Sequence, residues 1–327
     1  MVKVSIILPN YNHSEYLPQR IESILNQTYQ DFEVIILDDS STDNSLEVLN
    51  HYRDHPKVTH FIVNEKNSGS VFRQWNKGVS LAQGEFIWIA ESDDIASPFF
   101  LERLTNQLLE DQNLGIAFCQ SNKINSLSEV YGDWLDHTKE KENNLFMNSF
   151  KMNGNAFITR FLIEKNSIPN ASAVVFRKDI YLRTGGPLEN LKTVGDWNIW
   201  VKILSFSNVY FHHEKLNSFR MHDSSCVAIS IKNDSKCNII LMFIEMYKDL
   251  SKFSDKKNPT MSKYFKYKKD INTLRFIYTC IASKNYEKLF NNPYGSRIYF
   301  IFFTPYLYIA LLKFYFPSVF RIIGTTK

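Results

Sequence analysis

The sequence predicts an α/β fold: a mostly parallel sheet flanked by helices, followed by a helical C-terminal appendage. Three observations lead there. Short apolar runs rich in β-branched residues alternate with segments of helical periodicity over the first hundred or so residues. Three of those runs end in polar clusters. The charge balance also reverses late in the chain: residues 231–327 carry 17 Lys and Arg against 6 Asp and Glu, while the first 230 carry 21 against 28. With 327 residues, 44% of them hydrophobic, the chain can bury a sizeable core. The reversal divides it into a mildly acidic unit, 1–225, and a basic, aromatic one, 226–327.

Each element has its own signal. Val2 to Leu8 is apolar without polar alternation, as in a strand buried on both faces. Ile21, Ile24 and Leu25 recur at helical spacing. Glu33 to Leu37 is a second strand, ending in Asp38-Asp39. Ser41-Thr42-Asp43 offers caps to a helix carrying Leu46, Val48 and Leu49. Val58 to Val63 is a third strand. Val71, Trp75, Val79 and Leu81 mark a helix that stops before Gly84. Phe86 to Ala90 is a fourth strand, closing with Glu91-Ser92-Asp93-Asp94. Ser97-Pro98 opens another helix, with proline where no donor is needed. From about 120 to 170 periodicity is weak, as in an acceptor-side insertion or a mobile loop. Ala173 to Phe176 is again a strand. Val194 to Leu204 is a helix with Trp197, Trp200, Val201 and Leu204 on one face, and Val209 to Phe211 begins a further strand.

In a parallel sheet ligands bind beyond the carboxyl ends of the strands. The clusters Pro9-Asn10-Tyr11-Asn12, Asp38-Asp39-Ser40-Ser41 and Glu91-Ser92-Asp93-Asp94 all fall at that end. Each alone reads as a turn or helix cap; together they make a carboxylate-rich site. Carboxylates repel a diphosphate unless a cation intervenes, and Mg²⁺ or Mn²⁺ is held by one or two carboxylates with substrate phosphates. The Asp93-Asp94 pair suits that role.

Here a family resemblance enters. Val4-Ser5-Ile6-Ile7-Leu8-Pro9-Asn10-Tyr11-Asn12 resembles the opening strand and loop of family 2 glycosyltransferases, enzymes of the GT-A fold, a Rossmann-like sheet. Leu25-Asn26-Gln27-Thr28-Tyr29 with Asp38-Asp39-Ser40-Ser41-Thr42-Asp43 resembles their second signature. Asn67-Ser68-Gly69, Asn76-Lys77-Gly78 and Ala82-Gln83-Gly84-Glu85 resemble the third. Glu91-Ser92-Asp93-Asp94 stands where the family has its metal-binding DxD-type motif, and Gly185-Gly186 with Gly195-Asp196-Trp197 resembles its late acidic motif. The likeness covers roughly residues 2–225, and the order and spacing of the motifs make it specific.

The resemblance implies roles. Tyr11 would stack on the nucleobase and Asp39 would accept from its ring N–H. Pro9, Asn12, Asn67, Gly69 and Asn76 fall at donor-binding positions. Asp93 would contact the ribose or assist the metal, Asp94 would be the principal metal ligand, and His222 would be a further ligand near the diphosphate. Asp196 would be the general base that takes the acceptor hydroxyl's proton, inverting the anomeric centre. Arg73 or Lys77 faces either the diphosphate or solvent. Trp197 and Trp200 are core residues, or one of them is a platform for an acceptor sugar. The sequence departs from the family at Glu91, often Asp, and at Gly195, often acidic. It has no QxxRW motif of the processive synthases, which favours single additions.

The implied partners are a UDP- or dTDP-type nucleotide-sugar donor and a saccharide or lipid-linked acceptor in surface polysaccharide biosynthesis. Residues 263–323, crowded with Lys, Arg, Phe and Tyr, would meet a membrane peripherally; the other reading is a packed helical subdomain or a homo-oligomer contact. The uncharged stretch Ile298 to Leu312 is too short to span, since that takes about 20 apolar residues. Nucleic acid is not an expected partner, because the acidic front has no recognition module. Cys119, Cys226, Cys237 and Cys280 have no metal or disulfide spacing and read as buried free thiols in a reducing compartment. The N-terminus lacks a signal-peptide pattern. The expected place is cytoplasmic, at the inner face of the plasma membrane. The alternatives are a nucleotidylyltransferase-like enzyme, for which the loop after strand one is not glycine-rich, and a non-catalytic binding protein.

Overall fold

The computed structural model describes residues 2–138, 144–222, 225, 236–283, 285, 288 and 294. Its contacts fall into two compact units, Met1–Ser225 and Cys226–Lys327.

The first unit is built on a ten-stranded sheet in the order β3-β2-β1-β4-β9-β6-β10-β5, with β7 added to β6 and β8 to β10. Strand β1, Val4–Asn10, lies between β2, Phe32–Asp38, and β4, Phe86–Ile89, parallel to both. Every residue of these three strands is buried. That is why they read as unbroken apolar runs: with layers on both faces, no position is left for a solvated side chain. Strand β3, Val58–Val63, is a parallel edge. Helix α1, Leu17–Leu25, starts on Pro18 and buries Leu17, Ile21 and Ile24 together with Arg20. Helix α2, Ser45–Asn50, begins where Asp43 Oδ1 accepts from Ser45 N at 3.0 Å. Helix α3, Val71–Leu81, buries Phe72, Trp75 and Val79.

Beyond β4 the sheet turns mixed. Strand β9, Val174–Arg177, runs antiparallel to both β4 and β6, Leu114–Ile124. The long β10, Asn208–Arg220, is parallel to β6, with irregular register between His212 and Asn217. Two-residue β5, Ile95–Ala96, pairs with Asn217 and Ser218 of β10. That pairing delays helix α4, which spans Phe100–Glu110 rather than starting at Ser97-Pro98. The weakly periodic region holds the rest of β6, then β7, Val130–Asp133, short α5, Leu135–Thr138, β8, Phe150–Met152, and α6, Gly154–Phe157. Helices α7, Lys178–Thr184, and α8, Gly195–Leu204, follow β9. Ile6, Leu8, Trp88, Phe100, Leu104, Ala117 and Val175 lie at the core centre, each fully buried.

Among its described residues the second unit contains a helix pair, α9, Lys236–Ser254, and α10, Pro259–Ala282. The start of α9 meets the end of α10 at Cys237 and Cys280, while Ser262 near the start of α10 donates to Ser251 O. The pair is therefore antiparallel. Lys263, Lys266 and Tyr267 share an exposed face of α10. Among the described residues no helix is long and apolar enough to cross a membrane. The expected membrane segment beyond Arg297 lies outside the described residues.

Candidate active site

The parallel register brings the three polar clusters to one edge. Asn10 pairs with Asp38, and Asn10 Nδ2 donates to Asp38 Oδ2 at 2.8 Å. Pro9 stays buried within β1, so it shapes the strand end rather than facing a ligand. Tyr11 follows with an exposed ring, 44% accessible, and is free to stack. Asn12 takes a left-handed φ of 56°, and its Oδ1 accepts from Thr42 N at 2.7 Å, joining the loops after β1 and β2.

Asp39 is buried at the edge of a second loop. Its Oδ1 accepts from Asn64 Nδ2 at 2.6 Å and Gln74 Nε2 at 2.9 Å; its Oδ2 accepts from Ser68 Oγ at 2.7 Å. It thereby pins residues 64–70. Within that loop Asn67 Oδ1 caps Gly69 N at 2.6 Å, and Gly69 has φ 73°, so the turn needs glycine. Both Asn67 and Gly69 are exposed beside Asp39. Asn76 goes elsewhere. Its Oδ1 accepts from Tyr181 OH at 2.7 Å and its Nδ2 donates to Glu189 at 3.2 Å, so it braces α7 and the loop after it instead of lining the Asp39 pocket. Arg73 pairs with Glu189 at 3.2 Å and Lys77 donates to Asn64 at 2.7 Å.

The acidic turn after β4 splits its carboxylates. Asp93 Oδ2 lies 3.0 Å from His222 Nε2, and ligand atoms of His13, Asp93 and His222 all lie within 4.8 Å of one another. Asp94 points the other way. It is 1% exposed, with Oδ2 accepting from Asn170 Nδ2 at 3.0 Å and Oδ1 from Arg220 N at 2.9 Å. The expected principal ligand is thus held by Asn170 and Arg220, and of the two aspartates it is Asp93 that lies beside His13 and His222. The reason is long-range: pairing of Ile95–Ala96 with Asn217 and Ser218 of β10 fixes which of two adjacent residues faces inward. His13 joins the set because Ser92 Oγ holds its Nδ1 at 2.8 Å, leaving Nε2 available. Two imidazoles and a carboxylate form a donor set that suits a first-row transition metal better than Mg²⁺.

The electrostatics agree with that split. Burial lowers the pKa of His13, which favours the neutral, ligating form. Burial works against ionised Asp93, but the His222 hydrogen bond and His13 outweigh it and hold the carboxyl below the usual range. Burial, then repulsion from Asp93, pushes Asp94 up. Burial followed by Asp93 also raises Glu91, to about 8, while Trp75 Nε1 donates to it at 2.9 Å. Beneath these acids sits Arg20, fully buried with its guanidinium 4.8 Å over the Trp88 ring. Burial lowers its pKa to about 10, and the acids opposing that shift are Asp94, Asp93 and Glu91.

Arg220 organises the surroundings. Its Nε donates to Asp93 O at 2.7 Å, NH1 to Asn125 O at 3.0 Å and NH2 to Gln19 Oε1 at 2.9 Å. One side chain thus joins the acidic turn, the β6–β7 hairpin and α1. Asp196 lies in the first turn of α8, where the helix dipole favours negative charge. Asn166 Nδ2 donates to its Oδ2 at 3.0 Å, and burial raises its pKa to about 6. Gly195 has a steric cause: a Cβ there would sit 2.4 Å from the Phe72 ring, so the acidic neighbour common in the family does not fit. Trp197 and Trp200 are both buried, Trp197 donating to Leu162 O at 2.7 Å; neither is an acceptor platform.

Residues 5–173 match the pattern described as glycosyl transferase family 2. The chain belongs to that family. That membership sets the nucleotidylyltransferase reading aside. The glycosyltransferase GlyG of Streptococcus pneumoniae is 38% identical over 107 residues, 33% of this chain and 35% of that one. The chondroitin synthase of Escherichia coli is 36% identical over 143 residues, 42% of this chain and 20% of that enzyme. The chain therefore spans only about a third or less of these relatives' length. An uncharacterized glycosyltransferase of Methanocaldococcus jannaschii is 27% identical over 94% of this chain and 89% of that one. Among solved structures, S. aureus TarS 1–349 in complex with UDP-GlcNAc superposes with a TM-score of 0.62 at 17% identity, over 86% of this chain and 73% of that one. The mannosyltransferase PcManGT of Pyrobaculum calidifontis, in complex with GDP-Man and Mn²⁺, gives 0.53 at 15% identity, over 96% and 81%. At such identities the structures establish the shared GT-A fold.

Sequence reasoning about this glycosyltransferase missed His13, Arg20, Asn166, Asn170 and Arg220. Two left a signal. His13 directly follows the Tyr11-Asn12 cluster. Arg20 sits three residues after Leu17 on the apolar stripe of α1, where a charge needs a reason to be.

Proposed function

We propose that this glycosyltransferase moves a sugar, with inversion, from a UDP- or dTDP-type donor to a hydroxyl of a saccharide or lipid-linked acceptor in surface polysaccharide biosynthesis. One observation carries the reading. The donor set His13, Asp93 and His222 and the carboxylate of Asp196 belong to one compact unit, and Asp196 has its pKa raised to about 6.

The residues divide the work. Tyr11 offers a ring to the nucleobase, and Asp39 holds the 64–70 loop that would border it. Asp93 and His222, with His13 beside them, would hold Mn²⁺ or Mg²⁺, whose charge stabilises the departing diphosphate. Asp196 accepts the proton of the acceptor hydroxyl as its oxygen attacks the anomeric carbon and the bond to the diphosphate breaks. A base with a pKa near 6 is ionised at neutral pH yet basic enough to assist. The absence of a QxxRW motif favours one addition per encounter. The lysine-bearing face of α10, with the aromatic residues that follow it in sequence, supports peripheral attachment to the inner face of a membrane.

The test is thermal stability with UDP, GDP, CDP, dTDP and ADP, each with Mn²⁺ and with EDTA. Metal-dependent stabilisation by UDP or dTDP supports the reading; at a hundredfold excess over Kd it amounts to about 2.7 kcal/mol. Stabilisation by none of them, in a folded protein, removes the donor site. The anomeric configuration of the product decides inversion.

A further inference from the structure

The second unit contains a pair of side chains that the transfer reaction does not use. Cys237 lies in the first turn of α9 and Cys280 in the last turn of α10, and both are buried. Their sulfurs are 3.1 Å apart, about one ångström beyond a covalent S–S bond. Ile244, Phe276, Ile277 and Tyr294 enclose them in one apolar cluster, with Ile240 and Leu241 packed against it. The third described cysteine, Cys119, is buried separately in the sheet core.

We infer that Cys237 and Cys280 are a disulfide-forming pair, oxidised by a low-molecular-weight disulfide to a cross-link that staples α9 to α10. One cysteine thiolate attacks the oxidant's S–S bond, giving a mixed disulfide and releasing one thiol. The second cysteine then attacks the protein-bound sulfur, forming the Cys237–Cys280 bond and releasing the second thiol. Two protein thiols are oxidised and one disulfide is reduced to two thiols, so atoms and electrons balance.

The surroundings set the character of the pair. Burial, then the neighbouring Cys237, pushes the Cys280 thiol up to about 12. Little thiolate forms in the closed helix pair, so oxidation proceeds through its openings. Once made, the bond is shielded by the same apolar cluster. It joins residues 43 positions apart and ties the start of α9 to the end of α10, restricting the unfolded chain most where the helices are otherwise joined only by residues 255–258.

The experiment uses the full chain. Wild-type protein is incubated with glutathione disulfide, or with dithiothreitol as control, then denatured, its thiols counted and its peptides mapped without reduction. The expected result is loss of two of the four thiols, a cross-linked peptide joining Cys237 to Cys280, and no retained glutathione. C119S gives the same cross-link, and C237S gives none. The unfolding midpoint of the oxidised wild type rises and returns on reduction. Four surviving thiols, glutathione retained on Cys237 or Cys280, or a cross-link between any other two cysteines would overturn the inference, whether or not C237S folds. An unchanged midpoint with the cross-link formed would overturn the stapling role.

Discussion

Asn166 donates its amide N–H to Asp196 across 3.0 Å, while its own carbonyl oxygen accepts from Ile168 N at 3.2 Å. The second bond fixes which end of the amide faces the carboxylate. A donor stabilises the ionised form, so Asn166 opposes the rise that burial imposes on Asp196.

The first prediction concerns pH. Transfer needs Asp196 ionised, so the rate should climb with pH through about 6 and level off above it. Asn166→Ala removes the donor. A hydrogen bond to a charged group contributes about 1.5–3 kcal/mol, so the acid limb should move up by roughly one to two pH units. Stability should move the opposite way to activity. The folded pKa exceeds the unfolded one, so this group's contribution is greatest at low pH and falls as pH rises through about 6. A pH–rate profile unchanged in Asn166→Ala would sever the link between the two residues.

The second separates the adjacent aspartates. Asp93→Ala should abolish measurable Mn²⁺ binding by calorimetry and leave the melting temperature close to wild type. Asp94→Ala should do the reverse. It strips the buried Asn170 Nδ2 and Arg220 N of their acceptor, a cost of about 1–3 kcal/mol for each group left unsatisfied.

The third addresses the imidazoles. His222→Ala and His13→Ala should each weaken Mn²⁺ at least about tenfold, one lost ligand being on the order of 1.4 kcal/mol or more. Mn²⁺ should also bind more tightly than Mg²⁺, because nitrogen donors suit the transition metal better. Equal affinity for both ions in the wild type would take the imidazoles out of the coordination shell.

The fourth tests why only one acid stands at the start of α8. Gly195→Asp restores the residue type common in the family but drives a Cβ to 2.4 Å from the Phe72 ring. Overpacking of this kind costs about 1–3 kcal/mol. The variant should melt lower and lose activity, and the same Gly195→Asp change should cost less in a Phe72→Ala background than in the wild type. Wild-type stability in Gly195→Asp alone would show that Phe72 yields freely.

What could be read in advance followed from burial. Strands β1, β2 and β4 are covered on both faces, so residue type alone outlines them. Strand β6 was not read from the sequence, and past Cys119 it carries Gln120 and Ser121, polar yet almost wholly buried. Ser121 Oγ is satisfied by Asn217 Nδ2 at 3.1 Å, a partner 96 residues away. No local pattern carries that information. The same holds for Asp93 and Asp94: two identical neighbours acquire opposite tasks only when β5 pairs with β10. Asp196, the proposed base, stood out by its motif; Asn166, which donates to it, belongs to no motif. The antiparallel insertion of β9 between β4 and β6 likewise requires long-range pairing that alternation of strands and helices does not encode.

The residues that complete the acidic turn come from the far end of the first unit. His222 reaches Asp93 across 129 positions and Arg220 reaches Asp94 across 126. During synthesis, the half of the chain carrying Tyr11, Asp39 and Asp93 leaves the ribosome well before the strand that finishes their site, and chains fold from the N-terminus as they emerge. A nascent or prematurely terminated chain ending before residue 220 has a recognisable sheet but neither His222 nor the Arg220 clasp. The order of translation thus sets the order of assembly: on the proposed reading, the place for the metal is completed only when almost the whole of residues 1–225 has been made.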